Sequence, residues 1–317
     1  MQVGTLENAN GSRIDADISS AWYGSVVSQP LSDLSTLPAQ LVLDGGCGTF
    51  LIAHGLDVRV ESTAAWNLSH RPEVLALHQS FVDAGAGAIQ TNTFAANSFA
   101  LAPHKIDPRE CNLAAVALAK QAVDGKDILV IGNIGPTGQT PPPQGDGNLL
   151  DLEDSFAEQA ALLSEGGVDF IHVETMVHPK EMRAALRGVR MGAPGLAVAV
   201  SIACRAAADS FKTTMGFPLD SMLAVAMEEH ASGVGANCML TPEAMAPLIA
   251  EIVAKVNIPV FAKPTVAPDG GAPLYPDEFG EGVAELFALG ARAVGGCCGT
   301  AARDIDCAVR RVARGYA

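Results

Sequence analysis

The chain has 317 residues, 49% hydrophobic and 17% charged, which is the composition of a folded globular protein long enough to bury one large core. Twenty basic residues against 35 acidic ones leave a formal charge of -15, and no basic stretch carries interleaved aromatics, so a nucleic-acid partner is disfavoured. No segment reaches the roughly 20 apolar residues that cross a bilayer, which excludes a membrane-spanning helix.

The first residues, "MQVGTLENANGSRIDADISS", are polar and acidic and have neither the basic region nor the apolar core of a signal peptide. The expected compartment is therefore the cytoplasm, where thiols stay reduced, and the seven cysteines read as thiols or ligands before disulfides. Residues 1–38 show little periodicity and carry "AWYG" at 21–24. They are expected to form an N-terminal extension that lies across the domain or reaches a partner subunit in a homo-oligomer. Residues 39–317 form the expected domain.

From residue 40 onward short apolar runs alternate with longer helical patterns. The runs are "QLVLD" (40–44), "GAIQTN" (87–92), "ILVIGN" (128–133), "DFIHVE" (169–174), "LAVAVS" (196–201), "GVGANC" (233–238), "IPVFAK" (258–263) and "RAVGGC" (292–297). Helical stretches follow them at 72–84, 108–122, 152–165, 179–189, 219–229, 242–253, 278–289 and 302–312. Pro72, Pro108, Pro179 and Pro242 stand where first-turn prolines belong. Eight β-α units whose runs are apolar on both faces predict a single-domain α/β fold, a closed (β/α)8 TIM barrel. An open doubly wound sheet is the competing arrangement, but "DGGCGT" lacks the spacing of a dinucleotide-binding loop.

In a barrel the active site lies at the C-terminal ends of the strands. The side chains expected to converge there are Asp44, Thr91, Asn92, Asn133, Glu174, Cys238, Cys297 and Cys298. Three thiolates with an open fourth position suit Zn²⁺. Gly295, Gly296 and Gly299 would let the adjacent cysteines adopt the unusual backbone angles needed to face one ion. A redox dithiol and buried structural thiols are the alternatives, and Cys47 or Cys204 could supply a fourth ligand. A thiolate-rich zinc is a poor water activator, but it holds a substrate thiol as thiolate, so the implied chemistry is attack of sulfur on carbon, most simply a methyl transfer. No general acid or base is called for, and His54, His172 and His178 read as structural.

The succession "DGGCGTFL" (44–51), "QTNTFAAN" (90–97), "GNIGPTG" (132–138), "VET" (173–175), "GANC" (235–238) and "VGGCCGT" (294–300) resembles the motifs of the homocysteine S-methyltransferase family. That family includes the homocysteine-binding module of cobalamin-dependent methionine synthase and the betaine–homocysteine methyltransferases. The resemblance covers about residues 40–315 and implies a zinc-dependent (β/α)8 barrel that methylates L-homocysteine to L-methionine. By position, Cys238, Cys297 and Cys298 look like the zinc ligands. Asp44 and Glu174 look like the residues that orient the amino-acid part of homocysteine. Gly45 and Gly46 would open main-chain N–H groups to its carboxylate, and Thr93 would offer a pocket hydroxyl.

The methyl donor implied is methylcobalamin. "QTNTF", "GPTG" and "WNLSHRPEV" (66–74) are similar to the cobalamin-dependent module. Where the betaine-using enzymes carry a tyrosine after the "TF" phenylalanine, this chain has Ala95, and Trp66 stands near but not at their donor-binding tryptophan. Betaine, a sulfonium donor, another small thiol, transfer toward a corrinoid protein, and a non-catalytic zinc scaffold are the alternatives. Because the sequence ends at Ala317, cobalamin is expected on a separate corrinoid protein with its methyl-donor module. The loop "AKPTVAPDGGAPLYP" (262–276) departs from the asparagine-alanine-glycine run of the methionine synthase module, and "SIACRAAADSFKTTMG" (201–216) has no evident role.

Overall fold

Each apolar run becomes a strand, and neighbouring runs pair in parallel. The computed structural model describes residues 30–208, 210–267 and 271–314. The strands are β1 (Leu41–Val42), β2 (Ala88–Gln90), β3 (Leu129–Ile134), β4 (Phe170–Met176), β5 (Val198–Ile202), β6 (Cys204–Ala207), β7 (Ser210–Thr213), β8 (Gly233–Asn237), β9 (Val260–Lys263) and β10 (Ala293–Val294). All but β6 and β7 form one parallel sheet in the order β1-β10-β9-β8-β5-β4-β3-β2. A parallel bridge between Leu43 and Ala88 joins the two outer strands, so the sheet closes into the expected barrel.

The helices that cover the barrel start on local signals. Pro108, Pro179 and Pro242 occupy first-turn positions, while Asp107, His178 and Thr241 cap the free N–H groups. Their apolar faces pack on the outer surface of the strands, which is why the strands are buried on both sides. No helix among the described residues is long and apolar enough to cross a membrane.

A second apolar cluster fills the barrel. Leu41, Leu43, Ile131, Phe170, Ala199, Phe261 and Ala293 meet there with Leu34 and Leu37 from the segment before β1. Leu31 also hydrogen-bonds between strand starts, its N–H to the Asp169 carbonyl at 2.7 Å and its carbonyl to the Ala197 N–H at 2.6 Å. Residues 30–37 thus lie across the N-terminal end of the barrel. The "AWYG" stretch falls outside the described residues.

Two of the features that were not foreseen bear on the site. A short helix, α1 (Cys47–Ala53), follows β1 directly, and β6 pairs with β7 as an antiparallel hairpin after β5. Both stand on the C-terminal side of the barrel, among the connections that follow the strands.

Candidate metal centre and substrate pocket

The tips of β8 and β10 flank that of β9. The Cys238 N–H donates to the Lys263 carbonyl at 2.9 Å and the Cys297 N–H to the Pro264 carbonyl at 2.8 Å. The end of β9 therefore acts as a splint that docks both cysteine-bearing segments. The outcome is one group: the sulfurs of Cys238, Cys297 and Cys298 all lie within 4.8 Å of one another, with Cys238 and Cys298 at 3.7 Å. Four Zn–S bonds of about 2.3 Å at tetrahedral angles would separate sulfurs by about 3.8 Å, so the three fit a zinc ion. Cys298 is exposed and the other two are half-buried, which leaves one side open. Cys47 and Cys204 are not part of the group.

The backbone around the sulfurs is held in a costly conformation. Cys238 and Met239 take φ values of +62° and +61°, and Gly299 takes +82°. Left-handed non-glycine residues cost about 1–3 kcal/mol each and persist where neighbours overdetermine them. Asn237 is one such neighbour. Its Oδ1 accepts from the Thr175 N–H at 2.9 Å, and its Nδ2 donates to Thr175 Oγ1 at 2.8 Å and lies 3.8 Å from Cys297 Sγ. Thr175 itself has φ +62°. One amide thus ties the end of β4 to the thiol cluster. Sharing a hydrogen bond with Cys238, together with burial, pushes the Cys297 thiol up to about 12. A thiol in that state needs a cation to become a thiolate.

Below the sulfurs, ionised groups from β1, β4 and β9 meet inside the barrel. Asp44, Glu174 and Lys263 are each less than 5% exposed. Lys263 Nζ lies 3.0 Å from Glu174 Oε1 and 3.6 Å from Asp44 Oδ1. Asp44 Oδ2 accepts from the Gln90 N–H at 2.7 Å, and Glu174 Oε2 from Asn133 Nδ2 at 2.8 Å. Burial raises the Asp44 carboxyl to about 6 despite Lys263. Burial acts on Glu174 in the same sense, but Lys263 outweighs it and holds the carboxyl below its usual range. His172 is kept neutral, lowered to about 4 by burial, with Nε2 bonded to Ser201 Oγ at 2.7 Å.

The other predicted residues have mixed positions. Thr93 is fully buried; its hydroxyl donates to the Asn133 carbonyl and bonds to Thr91 Oγ1, both at 2.6 Å, so no proton remains for a ligand. The Gly46 N–H donates to the Thr300 carbonyl at 3.0 Å, and a Cβ on Gly46 would stand 2.6 Å from the Cys297 carbonyl. Gly46 therefore serves the approach of the cysteine segment. A Cβ on Gly45 would likewise meet the Phe81 ring and the Thr300 carbonyl. Trp66 is 2% exposed and stacks on His70 at 4.1 Å, so its face is not open to a donor.

Sequence reasoning missed Lys263 and Asn237. Lys263 closes the apolar run "IPVFAK" as Asp44 closes "QLVLD" and Glu174 closes "DFIHVE", so the strand-end rule that found the carboxylates applies to it equally.

Known proteins resemble the chain along most of its length. The family model described as "Homocysteine S-methyltransferase" matches residues 41–312. The methionine synthase of Mycobacterium tuberculosis is 30% identical over 89% of this chain and 26% of its own length. That of Mycobacterium leprae is 28% identical over 76% of this chain and 22% of its own length. The chain thus spans about a quarter of the length of these curated relatives. Among solved structures, the metallated homocysteine methyltransferase MmuM from Escherichia coli superposes with a TM-score of 0.74 at 21% identity, covering 89% of this chain and all of that one. Its oxidized form gives 0.75 at 20% identity. At that identity the superposition speaks for the fold.

Proposed function

The chain belongs to the homocysteine S-methyltransferase family, and on that premise we propose that it transfers a methyl group to the sulfur of L-homocysteine, giving L-methionine, at a Zn²⁺ held by Cys238, Cys297 and Cys298. The observation that carries the reading is the convergence of the three sulfurs on one open-sided group. When bound there, Zn²⁺ supplies a Lewis acid that keeps a substrate thiol deprotonated at neutral pH.

The chain's own residues bind and orient. Asp44 Oδ1, Gln90 Oε1 and Asn133 Oδ1 are buried acceptors without a hydrogen-bond donor, and Glu174 Oε1 faces only Lys263 Nζ, at 3.0 Å. Buried polar atoms in native proteins are normally satisfied, so three orphaned acceptors in one pocket call for a ligand rich in N–H groups. The α-ammonium of homocysteine has three and is drawn to the two carboxylates. In the transfer, the thiolate lone pair forms the S–CH3 bond while the carbon–donor bond breaks and its electron pair leaves with the donor. No proton moves in this step, in keeping with His172 being held neutral by burial.

The donor in this reading is methylcobalamin presented by a corrinoid carrier. The motif resemblance to the cobalamin-dependent module supports it, and the burial of Trp66 removes that ring as a face for a quaternary ammonium donor. Ile52, Val60, Phe94 and Leu150 are exposed in the connections after β1, β2 and β3, where a carrier would dock. A docked carrier would also keep water from the reacting sulfur.

A donor panel tests the proposal. The zinc-loaded chain is given homocysteine with a methylcobalamin-loaded carrier, betaine, a sulfonium compound or methylfolate, and methionine is measured. Methionine from the carrier alone is expected. Turnover with betaine or a sulfonium compound would replace the donor, and a metal-loaded chain that binds no homocysteine would end the whole reading.

A further inference from the structure

Of the three clustered thiols, Cys298 is the one that packing does not hold. It is exposed, while Cys238 and Cys297 are half-buried. The residue after it, Gly299, takes φ +82°, and a Cβ there would stand 2.6 Å from Val266 Cγ2. Glycine reaches that left-handed conformation without penalty, but it rests as readily at negative φ. Gly299 therefore permits the turn and does nothing to keep it. Rotation about the bonds that flank the Cys298–Gly299 peptide would re-aim the thiol away from its two neighbours.

Both polar groups of that one peptide are gripped, each by a threonine from a different part of the chain. The Cys298 carbonyl accepts from Thr265 Oγ1 at 2.6 Å, and the Gly299 N–H donates to Thr49 Oγ1 at 2.8 Å. A hydroxyl has one proton, and for Thr265 the Ala267 carbonyl, at 3.1 Å, is the more distant acceptor, so the proton points at Cys298. Thr265 is 4% exposed, and its own N–H is on the Leu240 carbonyl at 2.9 Å, two residues beyond Cys238. Thr49 stands on α1, and the segment that leads into α1 is docked by the Gly296 N–H on the Asp44 carbonyl at 2.8 Å and the Gly46 N–H on the Thr300 carbonyl at 3.0 Å. The two hydroxyls are thus themselves held, one from the Cys238 side of the site and one from the Asp44 side.

We propose that Thr49 and Thr265 are positioning residues that clamp the Cys298–Gly299 peptide and so pre-aim the exposed thiol at the metal. The proposal rests on the reading that the three cysteines hold Zn²⁺. Cys298 then enters coordination without first ordering its backbone, a step whose entropy otherwise weakens metal binding.

The test is made on the reduced full-length chain, by competition for Zn²⁺ with a chromophoric chelator. T49V removes the acceptor and T265V the donor, and both keep the branched shape. Each should weaken zinc about 10- to 100-fold, and the double variant by less than the product of the two, because both act on one peptide unit. T49S and T265S keep the hydroxyl and should restore the affinity. In C298A, where the thiol served by the clamp is gone, adding T49V should change zinc affinity by less than about twofold. T49A and T265A give the same readout if a valine variant does not fold. A merely structural role predicts the reverse pattern, a lower unfolding midpoint of the metal-free chain with the zinc affinity of the folded chain unchanged, and that result overturns the proposal. Loss in only one of the two valine variants overturns it too, as does an equal loss from T49V with Cys298 present and absent. An unaltered, reduced chain that binds no zinc refutes the metal reading itself, and the proposal with it.

Discussion

At the N-terminal end of the barrel, Leu34 and Leu37 close over a wholly apolar interior of leucine, alanine, isoleucine and phenylalanine. At the C-terminal end of the same strands stand Asp44, Glu174, Lys263 and three cysteines, with three orphaned acceptors and left-handed backbone at Thr175, Cys238 and Met239. One end is built as a core ought to be built. The other keeps buried charge, unsatisfied oxygens and strained torsions, each of which costs stability. The features that folding alone would remove are gathered where a ligand would compensate them.

The largest break in this comparison comes from the thiol cluster. C298A should weaken zinc by more than the about 10- to 100-fold typical of losing a residue behind a metal ligand, and methyl transfer should vanish with the metal. The thermal transition should move only as far as loss of bound metal requires. Metal analysis after dialysis against a weak chelator checks it. One zinc retained per chain would show that the exposed thiol is no ligand.

The opposite end should respond in the opposite way. L34A removes a fully buried side chain from the plug beneath Phe170 and Phe261, and should cost about 2–5 kcal/mol of stability. Zinc and homocysteine affinity of the folded fraction should stay unchanged. Urea unfolding paired with metal titration reads both. Loss of metal affinity in the folded protein would mean that the two ends are coupled through the strands.

Much of this architecture was legible beforehand because a strand buried on both faces writes itself as an unbroken apolar run. All eight runs became barrel strands, and 108–122 became a helix with the bounds expected. The cysteines were legible for a related reason: sulfur between glycines at a strand end has no packing purpose. Helix α1 was not, because "CGTFLIA" has a glycine and a β-branched threonine in its first turn and owes its place to tertiary contacts. Those are the Gly46 N–H on the Thr300 carbonyl and the Gly299 N–H on Thr49 Oγ1 at 2.8 Å. The β6–β7 hairpin was hidden by "CRAA", which has neither alternation nor turn residues. Asn237 passed unnoticed because its value lies in contacts with Thr175 and Cys297, residues far off in the chain.

Asn237 sharpens the comparison further, since it is the clamp that holds strained backbone on both sides of the site. N237A should weaken zinc about 10- to 100-fold through Cys297, as loss of a hydrogen bond behind a metal ligand typically does. Homocysteine binding should fall as well, because Thr175 adjoins Glu174. N237D keeps the acceptor for the Thr175 N–H but loses both contacts of Nδ2. It should recover substrate orientation more than metal affinity, and equal recovery of the two would argue against separate roles.

The smallest effect concerns a residue that belongs to neither end. His78 lies on the helix Arg71–Asp83, fully buried, with both ring nitrogens unpartnered, and burial lowers it to about 4. Its folded value is below the ordinary 6.5 or so of an exposed imidazole, so its contribution to stability is complete above about 6.5 and is lost as pH falls through about 4. Across that window the unfolded chain binds one more proton at this site than the folded chain does, and stability should fall by about 1.4 kcal/mol per pH unit on its account. His172 adds a term of the same sign, and Asp44, raised to about 6, one of opposite sign, because its folded form takes up a proton first as pH drops. Both remain in H78L, so comparing the two proteins isolates the single residue. Urea midpoints at several pH values between 4.5 and 6.5 should show the variant with a slope shallower by about one proton. At pH 7 it should be no less stable, since an orphaned polar ring has been replaced by an apolar side chain. Parallel slopes would mean that His78 already carries its proton inside the fold, and a partner for that charge would then have to be sought on the helices around it.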